Sequence, residues 1–281
     1  MLTPTQTEHY QRDGYVVLPG FKTADQIAVL RARAEQLVQA FEPGDSKNIF
    51  TTQDQLRTVN EYFLGSANTV RCFFEEEAFA PDGSLRQAKS LSINKIGHAM
   101  HDLDPVFQAF SRGPALAQVV ADLGLQQPRV WQSMYIFKQP GIGGEIAWHQ
   151  DATYFASTPV TVTTLWFALE DATLDNGCMW VEPGGHRGPL RQRFERDGDT
   201  VTLCTLDSTP WPDARTAIPL EVKAGTLVVF HGLLPHYSAA NRSATSRHAY
   251  TLHVSDGRSA YAPTNWIQRP AELPARGLMH D

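Results

Sequence analysis

Two histidines and an aspartate raise the chemical question this sequence poses. Trp148-His149-Gln150-Asp151 sets an imidazole and a carboxylate two residues apart. In a strand, side chains i and i+2 point to one face, so His149 and Asp151 can share a cation. Phe230-His-Gly-Leu-Leu-Pro-His236 supplies the third candidate ligand, His236, with His231 as a rival in the same segment. Two histidines and one carboxylate leave metal positions open for a co-substrate and O₂, as non-haem Fe(II) oxygenases require. Three protein ligands plus water also describe a hydrolytic zinc site, so the triad leaves the metal open. An isolated H-x-D is more often a hydrogen-bonded surface pair. Arg247 shifts the balance. A guanidinium aimed into a barrel grips a carboxylate through two parallel hydrogen bonds. Taken singly, an arginine is more often solvated, but this one follows closely on Pro235-His-Tyr-Ser238 and Asn241.

These residues need a scaffold. From about Leu91 onward, short β-rich runs alternate with turns: LSINKIG, VWQSMYIFK, VTTLWFALED, CMWVEP, GTLVVFHG and HAYTLHV. Such punctuation reads as strands of a double-sheet barrel or jelly roll, with helices flanking one side. The lead-in over about residues 1–90 reads as helical. Thr23-Ala-Asp-Gln26 is a capping box, and Ile27, Leu30, Ala34, Leu37, Val38 and Phe41 follow at helical spacing. A second helix is expected from Pro114 to Leu123, closed by Gly124. Residues 42–90 read as a long excursion with short helices. The expectation is one domain, 1–281, with its β-core at about 91–255.

Composition narrows the function classes. The chain has 281 residues, 42% hydrophobic and 10% aromatic, enough for a packed core. A formal charge of −6 and the lack of a Lys/Arg block disfavour nucleic acid as the main partner. Three cysteines, Cys72, Cys178 and Cys204, form no C-x-x-C, which disfavours a disulfide framework or a cysteine zinc site. No run of about 18 apolar residues suggests a membrane span. The N-terminus does not read as a signal peptide, so cytoplasm is the expected compartment.

Three ordered motifs make the reading specific. H-Q-D, N-G-C-M-W-V-x-P-G-x-H and F-H-G-x-x-x-H-x-S-x-x-N-x-S-x-x-x-R together resemble the phytanoyl-CoA dioxygenase family of iron and 2-oxoglutarate oxygenases. D-G-Y-V-V-L-P-G-F, S-I-N-K-I-G-H-A-M-H, Q-S-M-Y-I-F-K-Q-P and N-W-I-Q-R-P-A-E-L-P support the likeness, which runs over nearly the whole chain. The resemblance implies a double-stranded β-helix of the cupin-like kind. It implies His149, Asp151 and His236 as iron ligands, choosing His236 over His231. It implies Arg247 and Ser238 as contacts of 2-oxoglutarate, with Lys95, Met134 and Trp166 lining the same pocket. Without it, Lys95 would pass as a solvated strand lysine, Met134 and Trp166 as plain core, and Ser238 as a turn cap. Gly185 departs from the serine frequent in P-G-S-H. Relatives that halogenate lack the metal carboxylate, and Asp151 is present, so hydroxylation is expected. The implied cofactors are Fe(II), 2-oxoglutarate and O₂, with ascorbate as a possible aid, and the implied partner is a small organic or acyl substrate. A zinc hydrolase and a non-catalytic binding relative are the alternatives.

Overall fold

Strand-forming sequence dominates, and the computed structural model describes residues 1–44, 48–50, 61–198, 200–213 and 215–279. Fifteen strands are described: β1 Tyr15–Leu18, β2 Val70–Phe74, β3 Ile93–His98, β4 Pro128–Ile136, β5 Ile146–His149, β6 Ser157–Thr158, β7 Thr163–Ala168, β8 Met179–Val181, β9 Gln192–Asp197, β10 Thr200–Thr205, β11 Ile218–Leu220, β12 Leu227–His231, β13 His236–Ser238, β14 Ala249–Asp256 and β15 Ala260–Tyr261. Seven form a large antiparallel sheet in the order β1-β12-β7-β14-β4-β3-β2, and four form a smaller one, β11-β8-β13-β5. This is the expected jelly roll.

Alternation along the central strands explains the layering. Leu165 and Phe167 of β7, with Tyr250, Leu252 and Val254 of β14, pack outward on Leu30, Ala34 and Val38 of helix Ala24–Ala40 and on Phe107, Leu116 and Val119. Trp166, Ala168 and Ala249 point the other way, onto Met179, Val181 and Leu220 of the smaller sheet. The large sheet is therefore buried on both faces, which is why β7 reads as a continuous apolar and threonine run.

Helix Ala24–Ala40 begins at the capping box: the Gln26 N–H donates to Thr23 Oγ1 (3.2 Å) and the Thr23 N–H to Gln26 Oε1 (3.0 Å). The other expected helix runs Pro114–Asp122, and Gly124 follows with φ +98°. The lead-in is not only helical. Tyr15-Val-Val-Leu18 pairs residue for residue with Phe230–Leu227, and Val70–Phe74 pairs with β3, so residues 1–90 supply both edges of the large sheet. β-Branched and aromatic residues favour pairing there. Within the ambiguous excursion, the described part holds a short helix, Glu61–Leu64, that strand β2, and two 3₁₀ turns, while residues 51–60 lie outside the described residues.

Candidate metal centre

His149 ends β5 and His236 begins β13, and the two strands pair so that these residues are register partners. The aspartate is not on the strand, as the i, i+2 argument supposed. β5 stops at His149, Gln150 continues extended (φ −122°, ψ 134°), and Asp151 opens a 3₁₀ turn. One extended residue is enough to keep both side chains on one face. Gln150 is pinned from behind, its Nε2 donating to the carbonyls of Pro189 (3.0 Å) and Leu233 (2.9 Å).

The donor atoms of His149, Asp151 and His236 all lie within 4.8 Å of one another. The Nε2 atoms of His149 and His236 stand 3.6 and 3.7 Å from Asp151 Oδ1. Each ring is turned by its other nitrogen: His149 Nδ1 lies 2.8 Å from the Ala147 carbonyl, and His236 Nδ1 lies 3.0 Å from that of Leu234. A proton on each Nδ1 leaves both Nε2 lone pairs facing Oδ1, the tautomer a metal ligand needs. Asp151 divides its labour. Oδ1 faces the histidines, and Oδ2 accepts from Thr164 Oγ1 (2.5 Å) with His253 Nε2 at 3.5 Å. Burial would raise its pKa, but His236, His253 and His149 outweigh that and hold it far below the usual carboxylate range. His231 lies elsewhere. Its Nδ1 accepts from the Leu233 N–H (3.0 Å), and burial depresses its pKa to about 4.

A cavity lies beside the three ligands, lined also by Lys95, Met134, Trp166, Ser238 and Arg247. Arg247, 2% exposed, sits just before β14. Its Nη2 donates to Ser238 Oγ (3.1 Å), and its guanidinium lies 5.5 Å from the centre of the Trp166 ring. Its Nε is buried without a partner, and among the described residues no carboxylate pairs with it. Burial lowers its pKa to about 10. A buried cation that lacks an anion is costly, so this position is built to receive one. Lys95 Nζ lies 3.3 Å over the Phe50 ring and 4.0 Å from Met134 Sδ. The donor set therefore fits an oxygen-activating metal with an anionic co-substrate beside it.

Sequence reasoning passed over Thr164, His253, Thr251 and Gln132, which also line the cavity. Three cross-strand rows place them. Thr164, His253 and Gln132 form one row, and Trp166, Thr251 and Met134 the next. Ala168, Ala249, Ile136 and Lys95 form the third. Lone threonines and a glutamine carry no motif signal, because only the register aligns them. Gly185 has a local reason: a Cβ there would lie 2.8 Å from Pro235 Cδ, so serine would not fit without a shift.

A jelly roll whose inner face holds two histidines and a carboxylate, with open positions, is the arrangement of the non-haem iron oxygenases. The family model described as phytanoyl-CoA dioxygenase (PhyH) matches residues 10–249. A protein named phytanoyl-CoA dioxygenase 1 from Oryza sativa subsp. japonica is 45% identical over 278 residues, covering 99% of this chain and 97% of that one. Phytanoyl-CoA dioxygenase domain-containing protein 1 of Bos taurus is 41% identical, covering 97% of each. The chain belongs to the phytanoyl-CoA dioxygenase family. Among solved structures, the non-heme alpha ketoglutarate dependent carbocyclase SnoK superposes with a TM-score of 0.66 at 20% identity, covering all of this chain and 94% of that one. EctD from S. alaskensis with bound Fe gives 0.66 at 20%, over all of this chain and 87% of that one. These two share the fold.

Proposed function

We propose that this protein is an Fe(II)- and 2-oxoglutarate-dependent dioxygenase that hydroxylates an aliphatic C–H bond of a small organic or acyl substrate. The observation that carries the reading is Arg247, a buried guanidinium with no carboxylate partner among the described residues, in the same cavity as the triad. Such a residue argues against a zinc hydrolase, whose metal chemistry needs only water and three protein ligands. His149, Asp151 and His236 hold the iron, with His236 rather than His231 as the third ligand. When bound, iron with 2-oxoglutarate supplies the oxidative chemistry, in which the co-substrate becomes succinate and CO₂ as O₂ is consumed.

The chain's own residues do the positioning. Arg247 and Ser238 grip the distal carboxylate of 2-oxoglutarate, and the Trp166 face holds the guanidinium in place. Met134 walls the co-substrate, and Lys95 adds positive charge at that end. Thr164 fixes Asp151 Oδ2 so that Oδ1 stays toward the metal. Aromatic walls keep water away from the reacting carbon. No separate acid or base is assigned. No described helix is long and apolar enough to cross a membrane.

The test is direct. Purified protein with Fe(II), ascorbate and 2-oxoglutarate should form succinate, slowly even without substrate. Absence of succinate together with preferential zinc retention would overturn the reading.

A further inference from the structure

Beyond the triad, the cavity holds an unused polar group. Gln132 is 5% exposed and lines the cavity, and no hydrogen bond joins its side chain to a described residue. Its carboxamide faces the cavity and is not sealed in the core, so a ligand there can supply its hydrogen-bond partners. Its register partner on β14 is His253, whose Nε2 lies 3.5 Å from Asp151 Oδ2. Neighbouring strands are about 5 Å apart, so Gln132 stands one strand beyond the residue that touches the metal carboxylate.

The surroundings are aromatic. Phe63 and Trp266 stack with ring centres 4.6 Å apart, and Phe155 stacks on His253 at 4.7 Å. His98 adds a second polar atom. Ser66 Oγ donates to the Phe63 carbonyl (2.5 Å) and lies 2.7 Å from His98 Nδ1, so that nitrogen carries the proton. His98 Nε2 is then a bare acceptor, buried and without a partner. Burial, with Lys95 nearby, holds the His98 pKa well below its ordinary value, so the ring stays neutral. The row Thr164, His253, Gln132 contains no lysine, arginine or acid.

Resting on the dioxygenase reading, we infer that Gln132 is a specificity-determining residue, and that the substrate carries an uncharged group offering both a hydrogen-bond donor and an acceptor, such as an amide, on an apolar body. Gln132 presents one acceptor and two donors, so it pairs with an amide edge through two hydrogen bonds. The aromatic walls take the apolar body, and the oxidised carbon lies a few bonds from the amide, beside Asp151.

Benzamide and acetophenone test this, since they share a shape and differ by the N–H donors. Titration calorimetry with saturating 2-oxoglutarate should show wild-type protein binding benzamide at least about tenfold more tightly than acetophenone. Gln132→Leu, or Gln132→Met if the leucine variant does not fold, should erase that preference. Equal affinities in the wild type, no binding of either probe, or a preference retained in a folded variant would overturn the inference. The wild-type comparison decides even if neither variant folds. Failure of the dioxygenase reading is separate: it shows as missing succinate, whatever the calorimetry gives.

Discussion

Asp151 serves two directions through two oxygens, and each can be tested by a single substitution. Asp151→Ala should abolish stoichiometric iron binding and succinate formation, checked by metal analysis and 2-oxoglutarate turnover. Thr164→Val removes only the 2.5 Å bond to Oδ2. It should weaken metal affinity about 10- to 100-fold, as loss of such supporting bonds usually does, with the fold intact. Arg247→Ala should raise the KM for 2-oxoglutarate about 10- to 100-fold, the scale of a hydrogen bond to a charged group, with kcat less affected. An unchanged KM would refute its role. His236 was chosen over His231 only by the family resemblance, whereas His149, Asp151 and Arg247 were legible as residue types in suggestive places. Thr164, His253 and Gln132 were not, since their meaning comes from three strands falling into register over more than a hundred residues of sequence.

Elements explain what was readable and what was not. Long runs such as Val162–Ala168 and Gly225–His231 announced themselves as strands. β11 and β13 have three residues each, too short for any periodicity to register, yet with β8 and β5 they complete the smaller sheet around His236. Behind the large sheet a charged knot ties elements together. Asp102, in helix Met100–Leu103, accepts from Arg112 Nη2 (2.6 Å) and from Arg276 Nη2 (2.8 Å), with His101 Nε2 at 3.1 Å. Burial would raise the Asp102 pKa, but His101, Arg276 and Arg112 outweigh it and hold it far below the ordinary range. Asp102→Asn removes the carboxylate that the buried Arg112 faces and should cost about 3–5 kcal/mol in urea unfolding. The sign follows from a native pKa below the unfolded one. The contribution is full above about pH 4 and drains away as pH falls toward the native value. The gap between wild type and Asp102→Asn should therefore narrow on acidification from pH 6 to 3.

At the scale of the molecule, binding and stability are linked. Ligands that bind only the folded state raise its stability, by about 2.7 kcal/mol at a hundred times Kd. Thermal unfolding should thus shift upward with Fe(II), and further with 2-oxoglutarate. The second increment should shrink in Arg247→Ala at a fixed 2-oxoglutarate concentration, because the weaker Kd lowers the linked stabilisation. The candidate ligands also straddle the sandwich. His149 and His236 belong to the smaller sheet, whereas Asp151 is held by Thr164 and His253 of the larger one. A bound ion therefore acts as a rivet between the two layers. Among the described residues β5 is the edge strand of the smaller sheet, paired with β13, and without the rivet it should fray first. Deuterium uptake at residues 146–149 and 236–238 should slow on metal addition, while the distant edge at Tyr15–Leu18 keeps its rate.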